Sequence, residues 1–191
     1  DVVEIPAEGS LLPETYIFDR GMTRADLIKK MQDDHAKVLD ELWEKRAPNL
    51  PFTTKQEAVT LASIVEKETG VPDERPRVAA VFVNRLRKGM KLQSDPTIIY
   101  GLTKGVPLGR GIRQSELDKP TPYNTYVITG LPPTPIANPG RAAIEAVLNP
   151  ADSDALYFVA DDGVHVGHEF AQVGQEGREL FAGLVHDLAA A

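Results

Sequence analysis

Apolar residues recur at helical spacing through the first half of the chain. Leu27, Ile28, Met31, Val38, Leu39 and Leu42 fall on one helical stripe. Thr23 stands just ahead of it with Asp26 three residues on, a variant of the capping box. The pattern predicts a long helix from Thr23 to about Arg46, ended by the prolines of residues 47–52. Thr53 or Thr54 opens the next helix, with Glu57 in its first turn. Its apolar run, residues 59–65, delivers two carboxylates, Glu66 and Glu68, and stops at Thr69-Gly70. A returning helix spans residues 73–87, and Gly89 follows its end as a C-cap would.

Extended patterns flank these helices. Residues 2–5 read as a short strand, 6–9 as a turn, and 11–18 as a second extended piece around Pro13. Residues 156–160 read as a strand, 161–163 as a tight turn and 164–166 as the returning strand. Residues 101–140 hold much of the glycine and proline and read as irregular, with a helical patch at 114–117. A helix follows Pro139-Gly140 to about Leu148. The tail from 171 to 191 carries Leu180, Phe181, Leu184 and Leu188 as the inward face of a last helix. Strands at both ends with helices between predict an α+β fold: a helical core carrying the Glu, packed with a small, mostly antiparallel sheet. The 191 residues read as a single domain.

Glu68 lies at i+4 from Ile64, i+3 from Val65 and i+7 from Leu61, so it continues the apolar stripe of its helix. Glu66 falls about 200° around the same helix, toward solvent. Burial disfavours the ionised form of a carboxyl and raises its pKa, which suits a general acid working near neutral pH. The ordinary alternative is a solvated glutamate at a helix end.

Four other residues have functional and structural readings side by side. Asn84 interrupts the apolar run VFVNRL and needs hydrogen-bond partners if buried, either a helix–helix contact or a group near Glu68. Gln93 is either an exposed loop amide or a polar group for a ligand near Glu68. Tyr123 and Asn124 combine a flat apolar ring with an amide that can orient a hydroxyl. Tyr126 reads as core, and Asp95 as an N-cap for the residues after Pro96. Arg75, Arg77, Arg85, Arg87, Lys88 and Lys91 form a basic cluster, either solvated helix faces or an attraction for anionic peptides.

The net charge of −7 argues against nucleic acid as a partner, which needs a basic face. With no cysteine, disulfides and thiol chemistry are excluded. His165 and His168, near Asp161 and Asp162, do not make a convincing metal site. No cofactor is expected. No apolar run approaches the ~18 residues needed to span a bilayer.

Long stretches carry a family resemblance: EGSLLPETY from Glu8, LASIVEKETG from Leu61, ERPRVAAVFVNRLRKGMKLQSDPTIIYG from Glu74, PTPYNTYVITGLPPTPIANPG from Pro120 and LYFVADDG from Leu156. The chain resembles the catalytic domain of the YceG-like endolytic murein transglycosylases, the MltG family. The resemblance implies a lytic transglycosylase that cuts MurNAc–GlcNAc bonds of nascent peptidoglycan and leaves 1,6-anhydroMurNAc ends. It implies Glu68, the Glu directly before a Thr, as the catalytic acid. Asn84, Gln93, Tyr123 and Asn124 become substrate-binding candidates, and Glu14 a residue of the cleft edge or the structure. The implied partners are glycan strands, with peptidoglycan synthases as candidate protein partners. The implied location is the extracytoplasmic face of the inner membrane. The abrupt start at Asp1 reads as a trimmed chain, without the family's N-terminal anchor and small extracytoplasmic domain. Gly167-His168-Glu169-Phe170 matches a family Gly-His-x-Phe, whereas the family's later His-Asn pair is absent from the GQEGREL stretch. A non-catalytic glycan-binding module and a lysozyme-like hydrolase with a second cleft carboxylate are the competing readings.

Overall fold

The computed structural model describes residues 4–160 and 168–171. Six helices appear there in chain order: α1 (Arg24–Glu44), α2 (Lys55–Glu68), α3 (Arg75–Arg87), α4 (Asp95–Thr103), α5 (Gln114–Leu117) and α6 (Arg141–Leu148). Two strands follow, β1 (Tyr157–Ala160) and β2 (His168–Ala171). The first two helices start where their caps direct. Thr23 accepts from the Asp26 N–H while the Asp26 carboxylate accepts from the Thr23 N–H at 2.9 Å. Thr54 and Glu57 repeat the arrangement, and Glu57 Oε2 also takes the Thr53 N–H.

The centre of the molecule is α2. Every residue from Ala58 to Val65 is buried, so this helix is enclosed on all sides rather than along one stripe. It packs against α6, α3 and α4, and α6 also packs on α3 and α1. Leu61, Ile64 and Val65 meet Val78, Phe82, Ile144 and Val147 in one continuous core. Between α2 and α3 the chain turns sharply. Thr69 leaves the helix in an extended conformation, its hydroxyl donates to Glu74 Oε2 at 2.9 Å, and it accepts the Val71 N–H at 3.0 Å.

The described residues are chiefly helical, with less sheet among them than the sequence pattern predicts. The strands β1 and β2 pair antiparallel, with Tyr157 opposite Ala171 and Ala160 opposite His168. Phe158 meets Phe82 of α3 edge-on at 5.6 Å, which fastens the ribbon to the core. The N-terminal residues 4–18 do not join it as strands. Their backbone groups are satisfied elsewhere: the Leu11 N–H by Asn138 Oδ1 at 3.0 Å and the Leu12 N–H by the Met31 carbonyl at 3.2 Å. Gly9 lets this segment lie flat, at φ +79° with Pro135 so near that an added Cβ would stand 2.5 Å from its Cγ. The tight turn and return strand expected at 161–166, and the tail helix beyond 171, lie outside the described residues. The described return strand begins at His168. No helix among the described residues is long and apolar enough to cross a membrane.

Candidate active site

Glu68 is the last residue of α2, where the enclosed helix meets the start of α4. Ser94 precedes α4 at its N-cap position but makes no side-chain cap bond. Its hydroxyl donates instead to Glu68 Oε1, at 2.5 Å. Ser94 is 1% exposed and its backbone is held from two sides. Its N–H donates to Thr125 Oγ1 at 2.9 Å, and its carbonyl accepts from Thr97 Oγ1 at 2.6 Å. The two threonine hydroxyls also bond each other at 2.9 Å. Gln93, in the left-handed region at φ +51°, turns the chain so that its own N–H reaches the Thr125 carbonyl at 3.1 Å. Asp95 follows Ser94, and its Oδ1 accepts from the Tyr126 hydroxyl at 2.6 Å.

These neighbours set the charge state of Glu68. Burial is the largest influence and pushes its carboxyl up from the ordinary 4.5 to about 7. The Ser94 hydrogen bond pulls downward, the Asp95 charge pushes further up, and the Arg85 guanidinium pulls down. Arg85 is itself buried and fixed, with Nε donating to the Leu156 carbonyl and Nη1 to the Leu92 carbonyl, both at 2.7 Å. Desolvation holds it below the usual guanidinium range. The Tyr126 phenol is raised, first by burial and then by its bond to Asp95, so it stays a neutral donor. The result is a carboxyl that carries a proton near neutral pH and can also lose it.

The Gln93–Ser94 turn and the loop from Tyr123 to Tyr126 lie together, but several of the named side chains face other tasks. Thr125 joins the Gln93–Ser94 turn to the loop that holds Tyr123 and Tyr126. Gln93 is half-buried beside Ser94. The Tyr123 ring lies 5.0 Å from Tyr100, its hydroxyl shares a 2.8 Å hydrogen bond with Thr134 Oγ1, and Lys104 Nζ stands 4.3 Å over it. Asn124 is 1% exposed. Its amide donates to the carbonyls of Glu116, Leu117 and Lys119, and its Oδ1 takes the Tyr126 N–H, so it organises the loop. Asn84 likewise spends both amide hydrogens on the carbonyls of Ser153 and Ala155, at 2.7 and 3.0 Å. It fastens the lead into β1 to α3.

Glu66 differs from its expected exposure. Its side chain is part-buried against α6 and 27% exposed. Glu66 Oε2 accepts the N–H of Gly140, the N-cap of α6, at 3.0 Å, and Oε1 lies 3.7 Å from Arg75. The basic cluster also divides, since Arg75 serves Glu66 and Arg85 is buried. Ser94 was not legible as a site residue, because the sequence suggested the cap of this helix at Asp95, whereas Asp95 is its first residue and Ser94 holds the N-cap position. Asp95 and Tyr126 read as a cap and as core, and the carboxylate neighbour of Glu68 was hidden with them. His165 lies outside the described residues, and His168 is described for its backbone alone. Two concavities, about 450 Å³ beside Trp43 and Phe52 and about 340 Å³ beside Ile5 and Ile28, do not include Glu68. The site is recognised by its chemistry rather than by enclosure.

Comparison with known proteins places this geometry in a family. The YceG-like family model matches residues 2–179. An endolytic murein transglycosylase of Bacillus subtilis is 38% identical over 159 residues, covering 83% of this chain and 43% of that protein. One of Streptococcus pneumoniae is 39% identical over 160 residues, covering 81% of this chain and 28% of that protein. The chain thus spans less than half the length of these curated relatives. A crystal structure of a yceG-like protein from Listeria monocytogenes superposes with a TM-score of 0.71 at 35% identity, over 90% of this chain and 54% of that one. The match of the family model over most of the chain, with the same fold in a solved relative, makes this protein a member of the YceG-like family.

Proposed function

We propose that this chain is the catalytic part of an endolytic murein transglycosylase, cleaving the bond between N-acetylmuramic acid and N-acetylglucosamine without water. The observation that carries the reading is Glu68: a carboxyl raised to about 7 at the end of an enclosed helix, with one oxygen held by Ser94. Protonated Glu68 gives its proton to the glycosidic oxygen as the C1–O bond breaks and an oxocarbenium-like centre develops. The resulting carboxylate takes the proton of the muramyl C6 hydroxyl as that oxygen bonds to C1. The product is a 1,6-anhydro ring, no water is consumed, and Glu68 ends protonated again. One carboxyl thereby serves as acid and then as base. Gln93 and Tyr123 are the substrate-binding candidates that this reading retains, because Gln93 adjoins Ser94 and Tyr123 is half-buried on the joined loop.

A hydrolase reading draws on one observation, the nearness of Asp95, since a lysozyme-like site uses a second carboxylate. Against it, Asp95 already accepts from Tyr126 and follows directly after the residue that holds Glu68. The same proposal puts the domain on the extracytoplasmic side, where murein lies, with synthases as candidate partners and membrane attachment through chain outside these residues. It also takes β1 and β2 as part of a small antiparallel sheet, which makes the domain α+β. Mass spectrometry of peptidoglycan strands digested by the protein tests the reaction. Anhydro ends support the lyase, reducing ends the hydrolase, and intact strands a binding module.

A further inference from the structure

The segment from Tyr123 to Tyr126 runs alongside α4 in the opposite direction. Tyr126 bonds Asp95 at the helix start, Thr125 bonds Ser94 and Thr97, and Tyr123 lies against Tyr100 near the helix end. Gly101 permits that last approach, since an added Cβ would stand 3.1 Å from Tyr123 Cβ. One wall therefore leads from the Ser94 hydroxyl, which holds Glu68, to Lys104 at the C-cap of α4. The nine residues of α4 make it about 13 Å long.

Lys104 stands where a helix end usually places glycine. Its backbone is left-handed, at φ +56°, and Gly105 follows at φ +95°. Its N–H closes the helix on the Tyr100 carbonyl at 2.9 Å. The side chain turns back over the wall, with Nζ 4.3 Å from the Tyr123 ring centre and 5.2 Å from that of Tyr100. Lys104 is exposed, and its ammonium has no hydrogen bond or ion pair among the described residues. Two neighbouring cations are spent, Arg85 on carbonyls and Arg110 on Glu116. Glu8, beside the Tyr100 hydroxyl, accepts from Asn138 rather than from Lys104.

We propose that Lys104 is a specificity-determining residue, whose ammonium receives a carboxylate of the peptide stem on the strand cut at Glu68. The proposal rests on the murein reading of this site. The amino sugars of such a strand are uncharged, and its stem carboxylates are the groups that a cation selects. The two rings hold the ammonium before binding, so less side-chain freedom is lost when the carboxylate arrives. Three donors with no fixed plane suit a flexible partner. In a chain of net charge −7, a cation here also offsets the general repulsion of an acidic strand.

The test measures by calorimetry how soluble strand fragments bind the full chain, carrying Glu68→Gln to stop cleavage. One fragment has free stem carboxylates; in the other the same carboxylates are converted to methylamides. Adding Lys104→Gln is expected to weaken the free-acid fragment about fivefold at low salt and to leave the methylamide within about twofold. Lys104→Arg should restore most of the loss, and high salt should erase it. Equal weakening of both fragments would make Lys104 a mere support for Tyr123 and overturns the proposal. Unchanged affinity for the free acid, or an Arg variant no better than Gln, overturns it too. Product analysis with Glu68 intact is a separate readout: reducing ends would refute the lyase reading while the two affinities still decide the role of Lys104. Fragments that bind no form of the protein overturn both.

Discussion

Replacing Glu68 by Gln is expected to stabilise the fold at alkaline pH. An acid whose pKa is raised on folding binds more protons in the folded chain than in the unfolded one between the two values. Stability therefore falls as pH rises through that window, here from the ordinary 4.5 to about 7. At roughly 1.36 kcal/mol per pH unit, the full window corresponds to about 3 kcal/mol, as an upper bound. Gln keeps the shape, can still accept from Ser94, and has no charge to desolvate. Urea unfolding of wild type and Glu68→Gln at pH 4 and pH 8 measures the effect. The two proteins should differ little at pH 4, and the variant should be more stable by about 1–3 kcal/mol at pH 8. An equal difference at both pH values, or a variant less stable at pH 8, would refute the argument that burial governs this carboxyl.

Three further outcomes follow from the packing. Glu66→Ala removes a charged acceptor from the N-cap of α6 and the Arg75 ion pair, and should cost about 2 kcal/mol in urea unfolding; a loss under about 0.5 kcal/mol would mean the contact does not hold α6. Asn124→Ala strips the loop of an amide bonded to three carbonyls and should lower stability by about 2–4 kcal/mol; unchanged stability with a raised KM would return Asn124 to the substrate. His35 is buried with Nε2 unpartnered among the described residues, and desolvation lowers its pKa below the usual 6.5. The unfolded chain then binds the proton more readily, so this contribution is complete above pH 6.5 and is lost as pH falls through the lower, folded value. His35→Leu should flatten the acid side of a thermal-midpoint profile between pH 7 and 4, and an unchanged slope would count against it.

The helices were legible because their signals are local. Thr23 with Asp26 and Thr54 with Glu57 mark starts, and periodic apolar residues carry each helix to its end. The place of Glu68 was legible for the same reason: the stripe through Leu61, Ile64 and Val65 leads to it. Glu66 was misread because periodicity describes one buried face, whereas α2 is covered all round by helices far along the chain. Asn84 and Asn124 invited a functional reading as polar residues in conspicuous segments. Asn84 bonds to carbonyls some seventy positions on and Asn124 to carbonyls of α5 and the turn after it, and neither partnership is revealed by spacing. Ser94 shows the reverse case: it takes the N-cap position of α4 that the sequence suggested for Asp95, and its hydroxyl goes to a contact 26 positions back in the chain. The N-terminal segment has strand-like alternation, but the hydrogen bonds offered by Met31 and Asn138 hold it as an extended strap.

The most direct test of the account compares purified peptidoglycan strands treated with wild type, Glu68→Gln and Glu66→Gln, with products read by mass spectrometry. Wild type should release fragments ending in 1,6-anhydroMurNAc. Glu68→Gln should lose at least ~10²-fold of that rate while remaining folded, since it has no proton to give. Glu66→Gln, once corrected for its folded fraction, should still produce anhydro ends. Anhydro ends released undiminished by Glu68→Gln, or reducing ends released by wild type, would contradict the claim that this one carboxyl carries a non-hydrolytic cleavage.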